Sequence, residues 1–225
     1  MAGKLQELGE EFRTVLTGRG KLLDSIVPPV LFVALNALFS LEVAAAGSLA
    51  VAGLLTAARL IRRQPAQYAL GGLGGAGLAA LVAWLLGRAE GYFVPSLLTS
   101  AGTLVLMAIS LIARRPLVAW TSYLARRWPL QWYWHPQVRP AYSEVTWLWL
   151  VVFSARLGLQ LVLFQREEPV LLAVAALLGG WPATIVLLII SYLYGTWRLQ
   201  RLGGPSVREF EAGAAPPWES QRRGF

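Results

Sequence analysis

The chain has 225 residues, 56 % of them hydrophobic and only 14 % charged, with a formal charge of +8 and a mean hydropathy of +0.53. A soluble domain carries about a quarter charged residues, so the composition is that of a polytopic membrane protein with room for one compact helical domain. The absence of cysteine excludes disulfides, thiolate metal sites and cysteine nucleophiles, and a single histidine excludes a multi-histidine metal site. The basic residues flank apolar runs and do not form an aromatic-interleaved patch, which assigns them to topology and anionic lipid headgroups and not to nucleic acid.

In residues 1–22, Leu5, Leu8, Phe12, Val15 and Leu16 recur at helical spacing before Gly18 and Gly20. The pattern predicts an amphipathic helix on the cytosolic leaflet, with a partly ordered polar tail as the alternative. Glu7, Glu10 and Glu11 interrupt any basic segment, so no signal peptide is read there. The first apolar run, 25–41, follows Asp24 as a cap, with Pro28 and Pro29 in its first turn. Only Glu42 separates it from the second run, 43–61, which predicts a tight antiparallel hairpin. The third, 66–87, holds Gly71, Gly72, Gly74, Gly75 and Gly77, the small residues that let membrane helices approach closely, and is expected to be the most tightly packed.

A loop with Arg88 and Glu90 leads to the fourth run, 93–113, with Pro95 in its first turn and Thr99, Ser100, Thr103 and Ser110 along it. Residues 117–142 mix Arg126, Arg127 and Arg139 with Trp120, Tyr123, Trp128, Trp132, Tyr133, Trp134 and Tyr142, the pairing selected at membrane interfaces. They predict an interfacial helix and then a loop broken by Pro129, Pro136 and Pro140, with Arg126, Arg127, Trp128, Trp132, Trp134 and His135 at the lipid surface. His135, alone among tryptophans, reads as an interfacial side chain and not as a metal ligand or general base.

The fifth run, 146–164, is apolar except for Arg156 and Gln160 near its middle. An arginine at that depth costs roughly 2.5–3.5 kcal/mol on insertion scales, so its five donors need acceptors. The sixth segment, 169–197, exceeds the ~20 residues a span needs. A break is expected at Gly179, Gly180 and Pro182, giving one kinked helix or a short dipping arm followed by a full span. Residues 201–225, rich in glycine and proline, read as a disordered cytosolic tail. The expected fold is therefore all-α, with six transmembrane helices in 23–200 and an interfacial segment over 116–143. Only Arg88 and Arg166 among the 20 basic residues fall in the loops opposite the termini, which predicts both termini in the cytosol.

Depth along the spans suggests a polar chamber of Arg156, Gln160, Asn36, Thr99 and Thr103, with Glu90 as an outer-loop partner of Arg156 and helix-break carbonyls as acceptors. Either the chamber holds an anion or a lipid headgroup, or Arg156 ties helices together through protein acceptors. No HExxH, GxSxG or Walker loop and no pair of intramembrane acids is present, so neither an enzyme nor a cofactor or metal site is expected.

The set Asp24-Ser25-x-x-Pro28, Gly87-Arg88-Ala89-Glu90-x-Tyr92-Phe93-x-Pro95, Arg114-Arg115-Pro116-Leu117, Thr146-Trp147-x-Trp149-x-x-x-Phe153-x-x-Arg156 and Gly180-Trp181-Pro182 resembles a bacterial, mainly actinobacterial, membrane family, domain of unknown function 3159. That family is distantly similar to intracellular septation protein A. The resemblance covers about residues 18–198 and implies a multi-pass inner-membrane protein tied to envelope biogenesis, with no catalytic residue carried over. Where the family has an acid after the loop glutamate, this chain has Gly91. The leading expectation is a scaffold or accessory factor in the cell envelope that meets lipid and a membrane-protein partner or a second copy. The runner-up is a small transporter or channel for an anionic or amphiphilic solute, with Arg156 as its binding charge.

Overall fold

The structure, a computed structural model, describes residues 19–61 and 66–225, with side chains described over 27–61 and 70–225. The amphipathic segment expected over 1–22 lies, as far as residue 18, outside the described residues. All regular elements among the described residues are helical: α1 Arg19–Leu38, α2 Leu41–Ile61, α3 Ala66–Leu86, a 3-10 turn Ala89–Phe93, α4 Val94–Ile112, α5 Leu117–Arg126, α6 Leu130–Tyr133, α7 Arg139–Gln165, α8 Pro169–Leu178, α9 Trp181–Leu202 and α10 Val207–Glu211.

Among the described residues, four stretches are long and apolar enough to cross a membrane, Leu41–Ile61, Ala89–Ile112, Arg139–Gln165 and Pro169–Leu202. In the last two only 6 % of the most apolar window is buried within the protein, so most of that surface needs an apolar surrounding, as lipid supplies. The protein is thus an all-helical bundle compatible with a multi-pass membrane protein. The two other runs counted in the sequence fall on α1 and α3, whose apolar parts Val27–Leu38 and Leu70–Leu86 are shorter.

The chain forms two compact units, one from the described residues up to Ser96 together with Leu163–Leu177, the other from Leu97–Val162 and Leu178–Phe225. In the first, α1 starts earlier than its sequence suggests and runs through Gly20, so Pro28 and Pro29 lie inside it and each removes an i→i−4 bond. Phe32 and Val33 on the next turn are buried with Ala44, Ala79, Ala80, Ala83 and Leu172. The Phe32 ring stacks on Tyr92 at 4.1 Å, which closes the 3-10 turn over α1. The close-packed face of α3 is not its glycines: Gly71, Gly74 and Gly75 meet open space, whereas Ala76, Ala79, Ala80 and Ala83 form the buried stripe. Their i, i+3, i+4, i+7 spacing presents methyl groups to the core.

The turn after α3 is buried as well, with Glu90 5 % and Tyr92 6 % exposed. Arg88 therefore pairs outward, its Nη1 3.1 Å from Glu167 Oε1 and its guanidinium over the Phe164 ring.

In the second unit the expected interfacial helix is α5, but the aromatic belt after it is not a lipid surface throughout. Trp132, Tyr133 and Tyr142 are fully buried, with Ala119, Val138, Ala141 and Leu199 around them, which corrects Trp132 as an interfacial residue. The physical reason is a partner for its polar edge: Trp132 Nε1–H donates to Pro205 O at 2.8 Å, so the indole can be buried whole. Trp134 is half-buried beneath the Arg115 guanidinium, and Arg127 is exposed and closes α5 in the left-handed conformation. The helix carrying Arg156 begins at Arg139, seven residues before the expected span, with Pro140 in its first turn.

Beyond Leu202 the chain is folded, which corrects the expectation of a disordered tail. Ser206 caps α10 in a capping box with Glu209, and Glu219 N–H donates to the same carboxylate at 2.7 Å. His135 is half-buried, its ring edge-on to Trp218 at 5.4 Å. These contacts hold the tail where glycine and proline content alone suggests disorder.

Acid is expected to loosen this tail in two steps. The Ser206 hydroxyl, then the amides of Glu219 and Ser206, hold the Glu209 carboxyl below its ordinary 4.5. Its contribution is complete above that value and is lost as pH falls through the folded pKa. Burial pushes His135 below its ordinary 6.5, so the docked ring resists protonation and stability begins to fall as pH drops below that value. Cleavage of residues 211–223 by proteinase K, normalised at each pH from 8 to 4 to cleavage of an unstructured peptide, should accelerate first below about 6.5 and again below about 4.5.

Candidate functional site

The second unit contains a cleft lined by Thr99, Ser100 and Thr103 of α4 and by Phe153 and Arg156 of α7. Thr99 and Thr103 are one helical turn apart and so share a face, as do Phe153 and Arg156 at i, i+3. The cleft has about 70 Å³ of room for water-sized groups, enough for a few waters, an inorganic anion or a carboxylate head.

Its chemistry is one-sided. Arg156 brings five N–H donors and a charge that does not titrate in the physiological range, and its Nε is buried with no hydrogen-bond partner among the described residues. Ser110, lower on α4, spends its hydroxyl proton on Met107 O at 2.7 Å, and Thr103 spends its own on Thr99 O at 2.9 Å. Thr103 thus offers lone pairs to the cleft, whereas Arg156 offers donors, and Phe153 supplies an apolar wall. No acid lines the cleft. A cation-bearing, acid-free pocket complements an anion through the Arg156 donors, not through Thr103.

Of the residues expected in a polar chamber, the structure brings Arg156, Thr99 and Thr103 together and adds Ser100 and Phe153. Gln160, one turn beyond Arg156, is 3 % exposed but not part of the lining. Asn36 and Glu90 belong to the first unit, Asn36 half-buried on α1. The helix interruption falls at Gly179–Gly180, with Pro182 in the first turn of α9. There the Thr184 amide donates to Gly180 O at 3.0 Å and its hydroxyl to the same oxygen at 2.9 Å. Among the described residues no three His, Cys, Asp or Glu side chains are grouped to hold a metal ion.

The sequence reading missed the polar clamp between α7 and α9. Glu144 takes a forked pair of bonds from Arg198, Nε to Oε2 at 2.8 Å and Nη2 to Oε1 at 2.8 Å, and a third from Tyr194 OH at 2.7 Å. Trp149 Nε1–H donates to Ser191 Oγ at 2.7 Å. Tyr194 and Arg198, at i, i+4, share a face, but nothing local says that the acid facing them is fifty residues away.

A family model described as protein of unknown function DUF3159 matches residues 16–200. The chain belongs to the DUF3159 family. The match spans most of the chain, with the motifs quoted above, the cleft and the Glu144–Arg198 clamp inside it. The tail from Gly203 lies beyond its end. No curated protein and no solved structure matches the chain.

Proposed function

We propose that this DUF3159 protein is a six-span protein of the bacterial cytoplasmic membrane, with both termini in the cytosol, that binds a small anion or the anionic head of an amphiphile at Arg156 and conducts it. One observation carries the reading: a guanidinium two thirds of the way along an apolar 27-residue helix opens on a cleft, and its buried Nε has no hydrogen-bond partner among the described residues. A charge at that depth is costly, and a donor left unmatched adds about 1–3 kcal/mol. An anionic guest offsets both.

The scaffold reading needs the same guanidinium to be spent on protein acceptors, so the cleft favours a transporter or channel. A role in envelope processes is compatible with either. Arg115, Arg127 and Arg139 near the ends of α5 and α7 suit anionic headgroups at the cytosolic face.

In proteoliposomes the protein should pass chloride, nitrate or acetate. Arg156→Gln should lower the flux roughly tenfold to a hundredfold, the value of one charge-assisted contact, and Arg156→Lys should restore part of it. Equal flux through wild type and Arg156→Gln, or no flux and no thermal stabilisation of the wild type by any of the three anions, returns the protein to the scaffold class.

A further inference from the structure

Far along the chain from the Arg156 cleft, the last residue of the folded tail is inserted into a slot. The Phe225 ring lies parallel to Tyr142, 4.4 Å away at 8°. A Cβ on Gly195 of α9 would overlap that ring, 2.3 Å from its nearest atoms, so only glycine at 195 leaves the slot open. At the mouth, Arg126 Nε–H donates to the Phe225 backbone oxygen at 3.1 Å, and the Arg126 guanidinium lies over Trp128 at 5.1 Å. The preceding residue, Gly224, has φ +79, and a Cβ there would meet the Trp128 ring at 2.8 Å and Arg126 Nη1 at 2.9 Å. The insertion therefore depends on two glycines, one on each side of the contact.

Two further features distinguish the slot from ordinary core. The Tyr142 hydroxyl is buried with no hydrogen-bond partner among the described residues, although Ser122 and Tyr133 bond each other at 3.2 Å. The tail is also held unevenly: Gly204, Pro205 and Val207 are buried, whereas most residues over 211–223 are exposed. Contacts of Trp218, Glu219 and Gln221 with His135, Glu209 and Val207 hold the tail as far as Gln221, and Arg222 and Arg223 after it are exposed, so Phe225 can leave while α10 stays docked.

We propose that the slot between Tyr142, Gly195 and Arg126 is a binding site for aryl-alkyl carboxylates, and that Phe225 occupies it in cis as a removable plug. Tyr142 stacks on the ligand ring, Gly195 makes room for it, and the Arg126 guanidinium takes the carboxylate. The spacing is set by the plug itself: the Phe225 ring and its carbonyl carbon are separated by two carbons, as are the ring and the carboxylate carbon of 3-phenylpropionate. A stacked ring and a charge-assisted bond are enough for weak, exchangeable binding.

The test is titration of the full-length protein in detergent with 3-phenylpropionate by ligand-observed NMR or calorimetry. Phe225→Ala should bind at least about tenfold more tightly than the parent chain, because the competing intramolecular ring is gone. Gly224→Val, which keeps the phenylalanine but blocks its insertion, should give the same gain. Gly195→Leu added to Phe225→Ala should return binding to background, since the leucine fills space that the missing ring has vacated. Helical circular dichroism confirms that each variant is folded. The proposal is overturned if folded Phe225→Ala and Gly224→Val bind no better than the parent, or if Gly195→Leu leaves the binding of Phe225→Ala unchanged.

Discussion

Replacing Trp132 by alanine is expected to cost about 3–5 kcal/mol, the range for truncating a buried large aromatic. The indole is fully buried, edge-on to Trp128 at 5.4 Å, Tyr133 at 5.1 Å and Tyr142 at 6.1 Å. Alanine would leave a cavity in the middle of that cluster and would strip the Pro205 carbonyl of its donor. Two losses of different kind follow, and a second variant separates them. Trp132→Phe keeps most of the ring packing and loses only the N–H, so it should cost about 1–3 kcal/mol, the cost of a buried acceptor left unmade. Chemical denaturation in detergent measures both. Limited proteolysis should show the segment after Leu202 released in Trp132→Ala before the helices unfold. If Trp132 instead faces lipid, both variants will denature like the wild type.

The second large effect is expected at Gly91. Its φ is not among the left-handed values, so the reason for glycine is space. A Cβ there would sit 2.8 Å from Ala83 Cα and 3.2 Å from Val82 O, contacts with backbone that cannot rotate away. Gly91→Ala should cost about 1–3 kcal/mol, the usual range for overpacking. Gly91→Asp should cost more, because it also places a carboxylate beside an already buried Glu90. Denaturation midpoints in detergent would measure the two costs. Indifference to either substitution would show that the turn is not seated on α3.

Much of the Arg156 cleft was legible because its residues break a local rule. A guanidinium in an apolar run stands out on hydropathy alone, and Thr99 and Thr103 declare a shared face by their spacing. Ser100 and Phe153 did not stand out, since a serine or phenylalanine in a membrane helix is ordinary until the rotation of both helices is known. Trp132 was misread for a related reason: an arginine- and tryptophan-rich amphipathic segment has the same composition whether its aromatic face meets lipid or the protein's own tail. The glycines of α3 were likewise a valid packing signal on the wrong face, and the tail's composition concealed a capping box, Ser206 to Glu209, that fixes its start.

Hydropathy and periodicity are properties of neighbours along the chain, and they alone determined that this protein is helical, that its long helices suit a bilayer, and that an arginine is set among apolar residues. Tertiary structure decided which side of each helix is inside, because successive residues on a helix point about 100° apart and only a packed partner selects among those directions. It therefore decided that Ala83 and not Gly75 is buried, that Glu144 answers Arg198, and that Phe225 closes a slot on Tyr142. It also decided that the buried Nε of Arg156 meets no hydrogen-bond partner among the described residues.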